Sequence, residues 1–324
     1  MLDRTLTVRV ARIDALTPEI RAFELVHPWG RALPGWAAGA HIDVHTPGGF
    51  MRQYSLASAP PAGGAPMRYL IGVKREPVSR GGSLALHEQV AEGDLLAISA
   101  PRNTFPLHRQ ARHHLLLAGG IGLTPLLAMA EQLSREGAAF TLAVFARSRS
   151  HLPFAEPLAA LGARVRLHLD DPAAPEKLDL ARLIGESPEG SHLYLCGPGG
   201  FMQAARTAAA HWRDDSVHLE YFAPPSSGAD DAPSEPFVLR LAQRGISVPV
   251  AAGQSAVEAL HDLGIGVPTS CEQGVCGTCV VPWLARPGSG APEHRDFCLS
   301  ATERQRRVAL CCARATSGTL TIDL

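Results

Sequence analysis

The stretch "TSCEQGVCGTCVV", residues 269–281, places three cysteines and two glycines within nine consecutive positions. Cys271, Cys276 and Cys279 have the C-x4-C-x2-C spacing that wraps three thiolates around a [2Fe–2S] cluster, with a fourth ligand from a distant segment. Structural zinc is the main alternative, but zinc ligands usually form two C-x2-C pairs, which leaves Cys271 unexplained. Gly274 and Gly277 can adopt the positive φ angles of a tight loop whose N–H groups point at sulfur. The spacing therefore predicts an iron–sulfur site.

Length, composition and charge exclude several classes of protein. The 324 residues, 46% of them hydrophobic, are enough for two or three domains. A formal net charge of -1 argues against nucleic acid or an anionic membrane as a partner. The start "MLDRTLTVRVARID" lacks the pattern of a signal peptide, and the most apolar window, residues 115–130, is broken by glycines and a proline. We therefore expect neither export nor a membrane span. All seven cysteines lie at or beyond Cys196, a distribution that indicates metal or redox chemistry in a cytoplasmic protein more than a disulfide framework.

The pattern of apolar and polar residues changes along the chain and predicts three domains. Residues 1–108 contain short β-rich runs between Pro/Gly turns, which is typical of a small β-barrel. Residues 109–222 alternate apolar strands with helical stretches, which predicts a doubly wound parallel sheet. Residues 223–236 are rich in small, acidic and proline residues and read as a linker. Residues 237–324 begin with a hairpin pattern and a short helix before the cysteine loop.

A cluster that accepts one electron at a time cannot take a hydride, so an electron path from a nicotinamide needs a flavin. Two motifs in the first domain are candidates for a flavin site. In "MRQYSLASAP" a strand ends with Arg52, Tyr54 and Ser55, and arginine can bind phosphate while tyrosine lies against a planar cofactor. In "VKREPVSRGGSLALHEQV" the turn from Ser79 to Ser83 leads into a helix whose first N–H groups can bind phosphate. Taken singly, each motif is also compatible with an ordinary strand or helix cap.

The window "LLLAGGIGLTPLLAMA" reads as strand, glycine loop and helix. Its backbone can approach a pyrophosphate closely at Gly119, Gly120 and Gly122. It departs from the usual dinucleotide fingerprint, because Pro125 replaces the third glycine and the downstream "FARSRS" lacks the acidic residue that holds a ribose hydroxyl. A generic strand-to-helix turn is the alternative interpretation.

Together these motifs resemble the phthalate dioxygenase reductase and vanillate demethylase reductase family, within the ferredoxin reductase superfamily. The matching stretches are R-x-Y-S, G-G-x-G-x-T-P, "YLCGPGGFM", "HLEYFAP", "CEQGVCGTC" and "CCAR", and they cover essentially the whole chain. The resemblance implies an antiparallel β-barrel flavin domain, an α/β doubly wound nicotinamide domain and an α+β (β-grasp) ferredoxin domain. It implies FMN, a [2Fe–2S] cluster and NADH as cofactors.

The resemblance also implies roles for individual residues. The flavin and its phosphate would be bound by Arg52, Tyr54, Ser55, Lys74, Gly81, Gly82, Ser83 and Phe222. The nicotinamide coenzyme would be bound by Gly119, Gly120, Gly122, Thr124, Ser148, Arg149, Cys196 and Gly197. Ser55, Thr124, Cys196 and Phe222 form the predicted catalytic set, although Cys196 taken alone is compatible with inert packing and Phe222 with a core aromatic. Cys311 would be the fourth cluster ligand, leaving Cys312 and Cys298 as ordinary thiols.

The implied activity is electron transfer from NADH, through FMN and the cluster, to a terminal oxygenase. For this family the partner is usually a Rieske non-haem iron oxygenase that hydroxylates or demethylates an aromatic compound, and the reductase is expected to be monomeric. A reductase for a cytochrome P450 or a di-iron oxygenase needs the same three modules. A non-enzymatic redox-sensing or zinc-binding module is an alternative from a different class, against which the flavin and nicotinamide motifs argue.

Two points stay open at the level of sequence. Arg147, Ser148 and Arg149 lie where a ribose 2'-phosphate can be bound, so NADPH is the alternative coenzyme. Arg304, Arg306 and Arg307 form a small basic cluster near the fourth ligand, which suits either partner docking or a solvated helix face.

Overall fold

The computed structural model describes residues 5–76, 81–224 and 234–324, which fold as two compact units, Met1–Glu220 and Tyr221–Leu324. The first part of the predicted phosphate turn, Ser79 and Arg80, lies outside the described residues, as does the middle of the predicted linker, 225–233.

The first half of the first unit is an antiparallel β-barrel. Its strands are β1 (Leu6–Ala15), β2 (Ile20–Val26), β3 (Ala40–Thr46), β4 (Phe50–Ser55), β5 (Arg68–Lys74), β6 (Leu95–Ile98) and β7 (Arg102–Asn103), with helix α1 (Gly82–Gln89) between β5 and β6. The strand order is β4-β3-β6-β1-β2-β5, with β7 on β3. A bridge from Leu56, just after β4, to Ile71 on β5 joins the two edge strands. The sheet therefore closes on itself, as the sequence predicts, and its alternating apolar residues fill the interior.

The second half of this unit is a doubly wound parallel sheet. Its elements are β8 (His113–Gly119), α2 (Leu123–Glu136), β9 (Phe140–Ala146), α3 (Ala155–Leu161), β10 (Val165–Leu169), α4 (Leu180–Gly185), β11 (Ser191–Cys196), α5 (Gly199–Ala208) and β12 (Val217–Glu220). The order β10-β9-β8-β11-β12 reverses direction between β8 and β11. In open parallel sheets, ligands bind at the carboxyl ends of the strands beside such a switch point. The expected ligand site therefore lies beside Gly119 and Cys196, the last residues of β8 and β11.

The glycine loop before α2 explains the unusual proline. Pro125 is the third residue of α2, a position whose N–H has no acceptor within the helix, so proline there costs no hydrogen bond. The helix ends at Gly137, which has a φ of 69° and caps the last turn in the left-handed conformation. Nine residues of α2 are buried, because the helix packs on the sheet and beneath the barrel.

The second unit is a small α+β fold. Its elements are β13 (Phe237–Leu241), β14 (Ile246–Val250), α6 (Ala256–Asp262), β15 (Val280–Pro282), β16 (Pro292–Glu293), α7 (Ala301–Arg304), β17 (Arg307–Ala309), β18 (Arg314–Ala315) and β19 (Thr319–Ile322). Strand β13 pairs antiparallel with β14 and parallel with β19, and two short pairs, β15 with β17 and β16 with β18, flank this sheet. A capping box between Ser255 and Glu258 begins α6. The cysteine loop lies between α6 and β15.

Candidate functional site: two nucleotide cavities and a cysteine loop

The end of strand β4 lies against the start of helix α1. A Cβ atom added to Gly82 would lie 2.6 Å from Arg52 Cγ, so only glycine leaves room for the arginine. Gly81 precedes the helix with a φ of 95°, and the Ser83 hydroxyl accepts a hydrogen bond of 3.3 Å from the Glu76 N–H. A guanidinium beside the first turn of a helix suits a phosphate group. The structure thus brings together Arg52 and the glycine turn, which the sequence predicts as phosphate ligands.

Ser55 and Tyr54 follow Arg52 at the end of β4. Ser55 is buried, and its hydroxyl donates a hydrogen bond of 3.3 Å to Glu220 Oε2 at the end of β12. Tyr54 is half-buried, and burial raises the pKa of its phenol well above the usual range. A neutral phenol ring here can pack against a planar ring system.

The loops after β8 and β11 pack backbone against backbone at the switch point. A Cβ atom on Gly122 would lie 2.3 Å from the Cys196 carbonyl oxygen, and one on Gly197 would lie 3.0 Å from Gly119 Cα. Thr124 is buried and donates its hydroxyl to the Ile121 carbonyl oxygen at 3.0 Å, so the side chain stabilises the glycine loop from within. Side chains larger than hydrogen would force these loops apart.

Four of the eight predicted coenzyme residues line two neighbouring cavities, whereas Gly122, Thr124, Cys196 and Gly197 line neither. A cavity of about 560 Å³ is lined by Lys74 from the barrel, by Gly119 and Gly120, and by Pro198 and Phe201 from the second loop. Its size is within the range of cofactor sites. A second cavity of about 410 Å³ is lined by residues that follow β9 and β10: Ser148, Arg149, Ser150, Leu169, Asp171, Ala173, Ala174, Pro175 and Glu176. Both cavities open at the carboxyl ends of the parallel strands.

Cys196 and Glu220 are register partners on the adjacent strands β11 and β12. Burial, together with the nearby Glu220 carboxyl, raises the pKa of the Cys196 thiol well above its ordinary value, so the thiol is neutral. Burial also raises the pKa of Glu220 to about 8, against the opposing hydrogen bond from Ser55. At neutral pH the dominant form of Glu220 is therefore a carboxylic acid that can give or take a proton.

Glu220 is a candidate functional residue that the sequence analysis missed. It stands inside the stretch "HLEYFAP", in which the family resemblance points to Phe222 alone. The signal was an acidic residue at the end of an otherwise apolar strand of a parallel sheet, the edge at which ligands bind. Phe222 itself belongs to the second unit and is 45% exposed, so it is not a core aromatic, and its role beside the flavin stays a prediction.

The cysteine loop has the geometry that its glycines predict. Gly274 and Gly277 have φ angles of 74° and 73°. The Gln273 N–H donates to Cys271 Sγ and the Thr278 N–H donates to Cys276 Sγ, each at 3.4 Å. Backbone donors to sulfur stabilise thiolates that carry a metal cluster.

The four predicted ligands form two pairs of thiols. The Cys271 thiol lies beside that of Cys276, and the Cys279 thiol lies beside that of Cys311, which also neighbours the Cys312 thiol. Within the described ranges, no three histidine, cysteine or acidic side chains are placed to hold a single metal ion. Two pairs suit a cluster of two irons and four cysteine ligands, whereas zinc needs four ligands around one point. The paired thiols therefore fit a [2Fe–2S] cluster held by four cysteines.

Cys311 and Cys312 lie in a turn and not in an extended strand. The Cys311 thiol neighbours the thiols of Cys279 and Cys312 and the backbone of Gly274. Cys312 directs its Sγ to the Ala309 carbonyl oxygen at 3.9 Å, and that sulfur would lie 2.7 Å from a Cβ atom on Gly274. The assignment of Cys311 as the fourth ligand stays a prediction, and Cys312 packs against Gly274 of the cysteine loop.

The buried carboxylate of Asp296 stabilises the segment that packs against the cysteine loop. Asp296 accepts a hydrogen bond of 3.0 Å from the Leu299 N–H and pairs with His294 at 3.2 Å and Arg304 at 3.4 Å. The Phe297 N–H donates to the Gly274 carbonyl oxygen at 2.9 Å, which ties this segment to the cysteine loop. Arg304 therefore has an internal role and is not a free docking charge.

Comparison with known proteins gives one consistent result. Residues 239–316 match a family model described as a 2Fe-2S iron-sulfur cluster binding domain. The chain is 42% identical to vanillate O-demethylase oxidoreductase of Pseudomonas sp. strain HR199, covering 98% of this chain and 99% of that one.

Two solved structures are similar to the chain over 99% of its length. One is phthalate dioxygenase reductase, described as a modular structure for electron transfer from pyridine nucleotides to [2Fe-2S]; it is 35% identical, the match covers 98% of it, and the TM-score is 0.71. The other is an intact type IV self-sufficient cytochrome P450 monooxygenase, 36% identical with a TM-score of 0.87, of which the match covers 41%.

The fold, the nucleotide cavities and the cysteine loop together define a flavin- and nicotinamide-dependent iron–sulfur oxidoreductase. The chain belongs to the phthalate dioxygenase reductase family, as its motifs predict, and it transfers electrons to oxygenases. The predicted cofactors, FMN, NADH and a [2Fe–2S] cluster, are those of this family. In the described residues no helix is both long and apolar enough to cross a membrane.

Proposed function

We propose that the chain is the cytoplasmic, monomeric reductase component of a Rieske non-haem iron oxygenase system that hydroxylates or demethylates an aromatic compound. The observation that carries this proposal is the full-length match to vanillate O-demethylase oxidoreductase, with nearly complete coverage of both chains. The domain bounds proposed for this function are 1–108 for FMN, 109–222 for NADH, 223–236 for a linker and 237–324 for the cluster.

The proposed site residues have different roles according to their position in the fold. Arg52 and the glycine turn at Gly81 would bind the FMN phosphate, and Tyr54 would pack on its ring system. Gly119 and Gly197 would let the coenzyme approach the backbone, while Ser55 and Glu220 hold a proton beside the buried Cys196 thiol. When bound, the flavin supplies the step from a two-electron donor to one-electron transfer. Cys271, Cys276, Cys279 and Cys311 would hold the cluster that delivers single electrons.

A cytochrome P450 is the second candidate acceptor. The observation in its favour is the match to a self-sufficient P450, in which a similar module forms 41% of the chain. Both acceptors need the same cofactors in the reductase, so its own site does not discriminate between them. The acceptor must be identified by reconstitution.

The deciding experiment mixes the purified protein and NADH with either a Rieske aromatic oxygenase or a bacterial P450, each with its own substrate. We expect oxygenated product only with the Rieske enzyme, in proportion to the NADH consumed. The Cys279→Ser variant is the control, because it removes a proposed ligand of the cluster. Product formation with the P450 alone would replace the Rieske assignment.

A further inference from the structure

Two arginines stand at the position where a dinucleotide ribose is recognised. Arg147 and Arg149 follow β9 at the carboxyl edge of the sheet, and their side chains are 59% and 69% exposed. In this type of sheet, a carboxylate near that position accepts a hydrogen bond from the ribose 2'-hydroxyl of NAD, whereas an arginine accommodates the 2'-phosphate of NADP. The sequence "FARSRS" taken alone therefore favours NADPH.

Each of the two arginines is held by a carboxylate from elsewhere in the chain. Glu19, in the turn between β1 and β2 of the barrel, pairs with Arg147 at 2.5 Å. Glu176, in the loop after β10, pairs with Arg149. The Arg147 hydrogen bond lowers the pKa of Glu19, so that pair is fully ionised at neutral pH. Both positive charges are thus balanced by the protein before any coenzyme binds.

Glu176 also has capacity for another hydrogen bond. It lines the second cavity with Ser148 and Arg149, and its side chain is 21% exposed. Its Oε1 atom accepts from Arg149, whereas its Oε2 atom is shielded from water and accepts no hydrogen bond from the described residues. A buried acceptor without a donor costs free energy until a donor arrives, which a ribose hydroxyl can supply. A phosphate dianion brings no such donor and is repelled by the carboxylate.

We propose that Glu176, supported by Glu19, selects NADH over NADPH by accepting a hydrogen bond from the adenosine ribose and by neutralising the arginines that would bind a 2'-phosphate. The acidic residue missing from the dinucleotide fingerprint is supplied by a loop more distant in sequence. This inference rests on the proposed coenzyme site at the carboxyl edge of the parallel sheet, and it does not depend on which oxygenase is the acceptor.

The test compares the native protein with Glu176→Gln and with Glu19→Gln/Glu176→Gln. Steady-state reduction of ferricyanide gives kcat/KM for NADH and NADPH, and calorimetry gives the affinities of AMP and adenosine 2',5'-bisphosphate. For Glu176→Gln we expect the preference for NADH to fall at least about tenfold and the relative affinity for the bisphosphate to rise by a similar factor, because one charge of a close pair is removed. Glu186→Gln is the matched control, since Glu186 pairs with Arg182 on an exposed helix surface of the same domain.

A double-mutant cycle separates this mechanism from a general disturbance of the loop. Adding Arg149→Gln to Glu176→Gln should abolish the gain in bisphosphate affinity, because the freed guanidinium is its source. The inference is overturned if the native protein uses both coenzymes equally, or if Glu176→Gln changes the ratio less than twofold while its melting curve stays intact. A native protein that reduces ferricyanide with neither coenzyme would instead contradict the proposed function.

Discussion

At the scale of single residues, Glu220 shows how burial sets a protonation state. Its carboxyl ends an apolar strand, and burial raises its pKa to about 8 from an ordinary value of 4.5. Between these two values the folded protein binds a proton that the unfolded chain releases. The contribution of Glu220 to the free energy of unfolding is therefore fully present below pH 4.5 and is lost as the pH rises through 8.

Glu220→Gln should therefore change the pH dependence of stability. Glutamine imitates the neutral acid, so we expect equal melting temperatures at pH 5 and a higher one for the variant at pH 9, by an amount on the order of 5 °C. Scanning fluorimetry across this range measures the effect, with the exposed Glu156→Gln as control. Parallel curves for Glu220→Gln and the native protein would show that the folded pKa of Glu220 is ordinary.

The adjacent cysteines make a second prediction at this scale. Cys311 faces Cys279, whereas Cys312 packs behind Gly274. Cys311→Ser should lose most of its bound iron and its visible iron–sulfur absorbance, while Cys312→Ser should keep the iron content of the native protein. Iron analysis and absorbance spectra of protein purified without air decide between them, and the reverse result would exchange the two assignments.

Residues that act through sequence-local geometry were predictable, and residues that act through distant partners were not. The positive φ angles at Gly274 and Gly277 follow from the tight spacing of the cysteines. Glu220 is buried beside Ser55, which stands 165 positions away, and Glu176 pairs with Arg149, which stands 27 positions away. Their roles depend on which strands become neighbours, and that is not readable from a short motif.

At the scale of elements, the turn from β8 to α2 must pass close to the end of β11. We expect Gly122→Ala to destabilise the protein by about 1–3 kcal/mol, because the added methyl would meet the rigid backbone at Cys196. Gly200→Ala is the matched control, since Gly200 lies in helix α5 with open space around it and should be neutral or slightly stabilising. Urea unfolding of both variants measures the difference, and equal midpoints would show that the turn has room to adjust.

The opposite edge of the same sheet carries a histidine cluster. Near the amino ends of β11 and β12, His192 Nδ1 and His218 Nε2 are 2.9 Å apart, and the ring of His108 stacks on His192 with a centroid distance of 4.0 Å. Burial first, and then the neighbouring histidines, lower the pKa of His218 to about 4, while Asp215 opposes the shift. Two neutral rings can share one hydrogen bond, but two protonated rings at this distance repel each other.

Mildly acidic pH should therefore lower the stability of the protein through this histidine cluster. As the pH falls below about 6.5 the unfolded chain takes up protons that folded His218 refuses until about pH 4, so stability is lost across that window. We expect the melting temperature to fall on the order of 5 °C between pH 7.5 and 5, and to fall less in His218→Gln. Glu220 acts in the opposite direction over the whole range from pH 7.5 to 5, so both proteins are compared in the Glu220→Gln background. Equal slopes would assign the acid sensitivity to other groups.

At the scale of the whole molecule, the order of the three folds along the chain could be predicted from the pattern of apolar residues and from the motifs. The barrel and the parallel sheet follow from the change from alternating to continuous apolar strands, and the final fold follows from the cysteine spacing. The division into two compact units could not be predicted from the sequence, because it depends on how tightly α2 and its loop pack against the barrel. Thr124 illustrates this packing, since its methyl would lie 2.8 Å from a Cβ atom on Gly72 of β5.

This division assigns the proposed coenzyme cavities and the proposed cluster ligands to different units. The two cavities are lined by residues of Met1–Glu220, and the four cysteines proposed to hold the cluster belong to Tyr221–Leu324. Cys279→Ser should therefore keep NADH-dependent reduction of ferricyanide, which can accept electrons directly from a flavin, within about twofold of the native rate, because the substitution changes none of the residues proposed to bind NADH or the flavin. The same variant should no longer deliver electrons to the oxygenase, since the cluster is the one-electron carrier that follows the flavin. Parallel assays of both acceptors with one preparation measure the two effects, and an equal loss of both would show that the cluster unit is needed for the first transfer as well as the last.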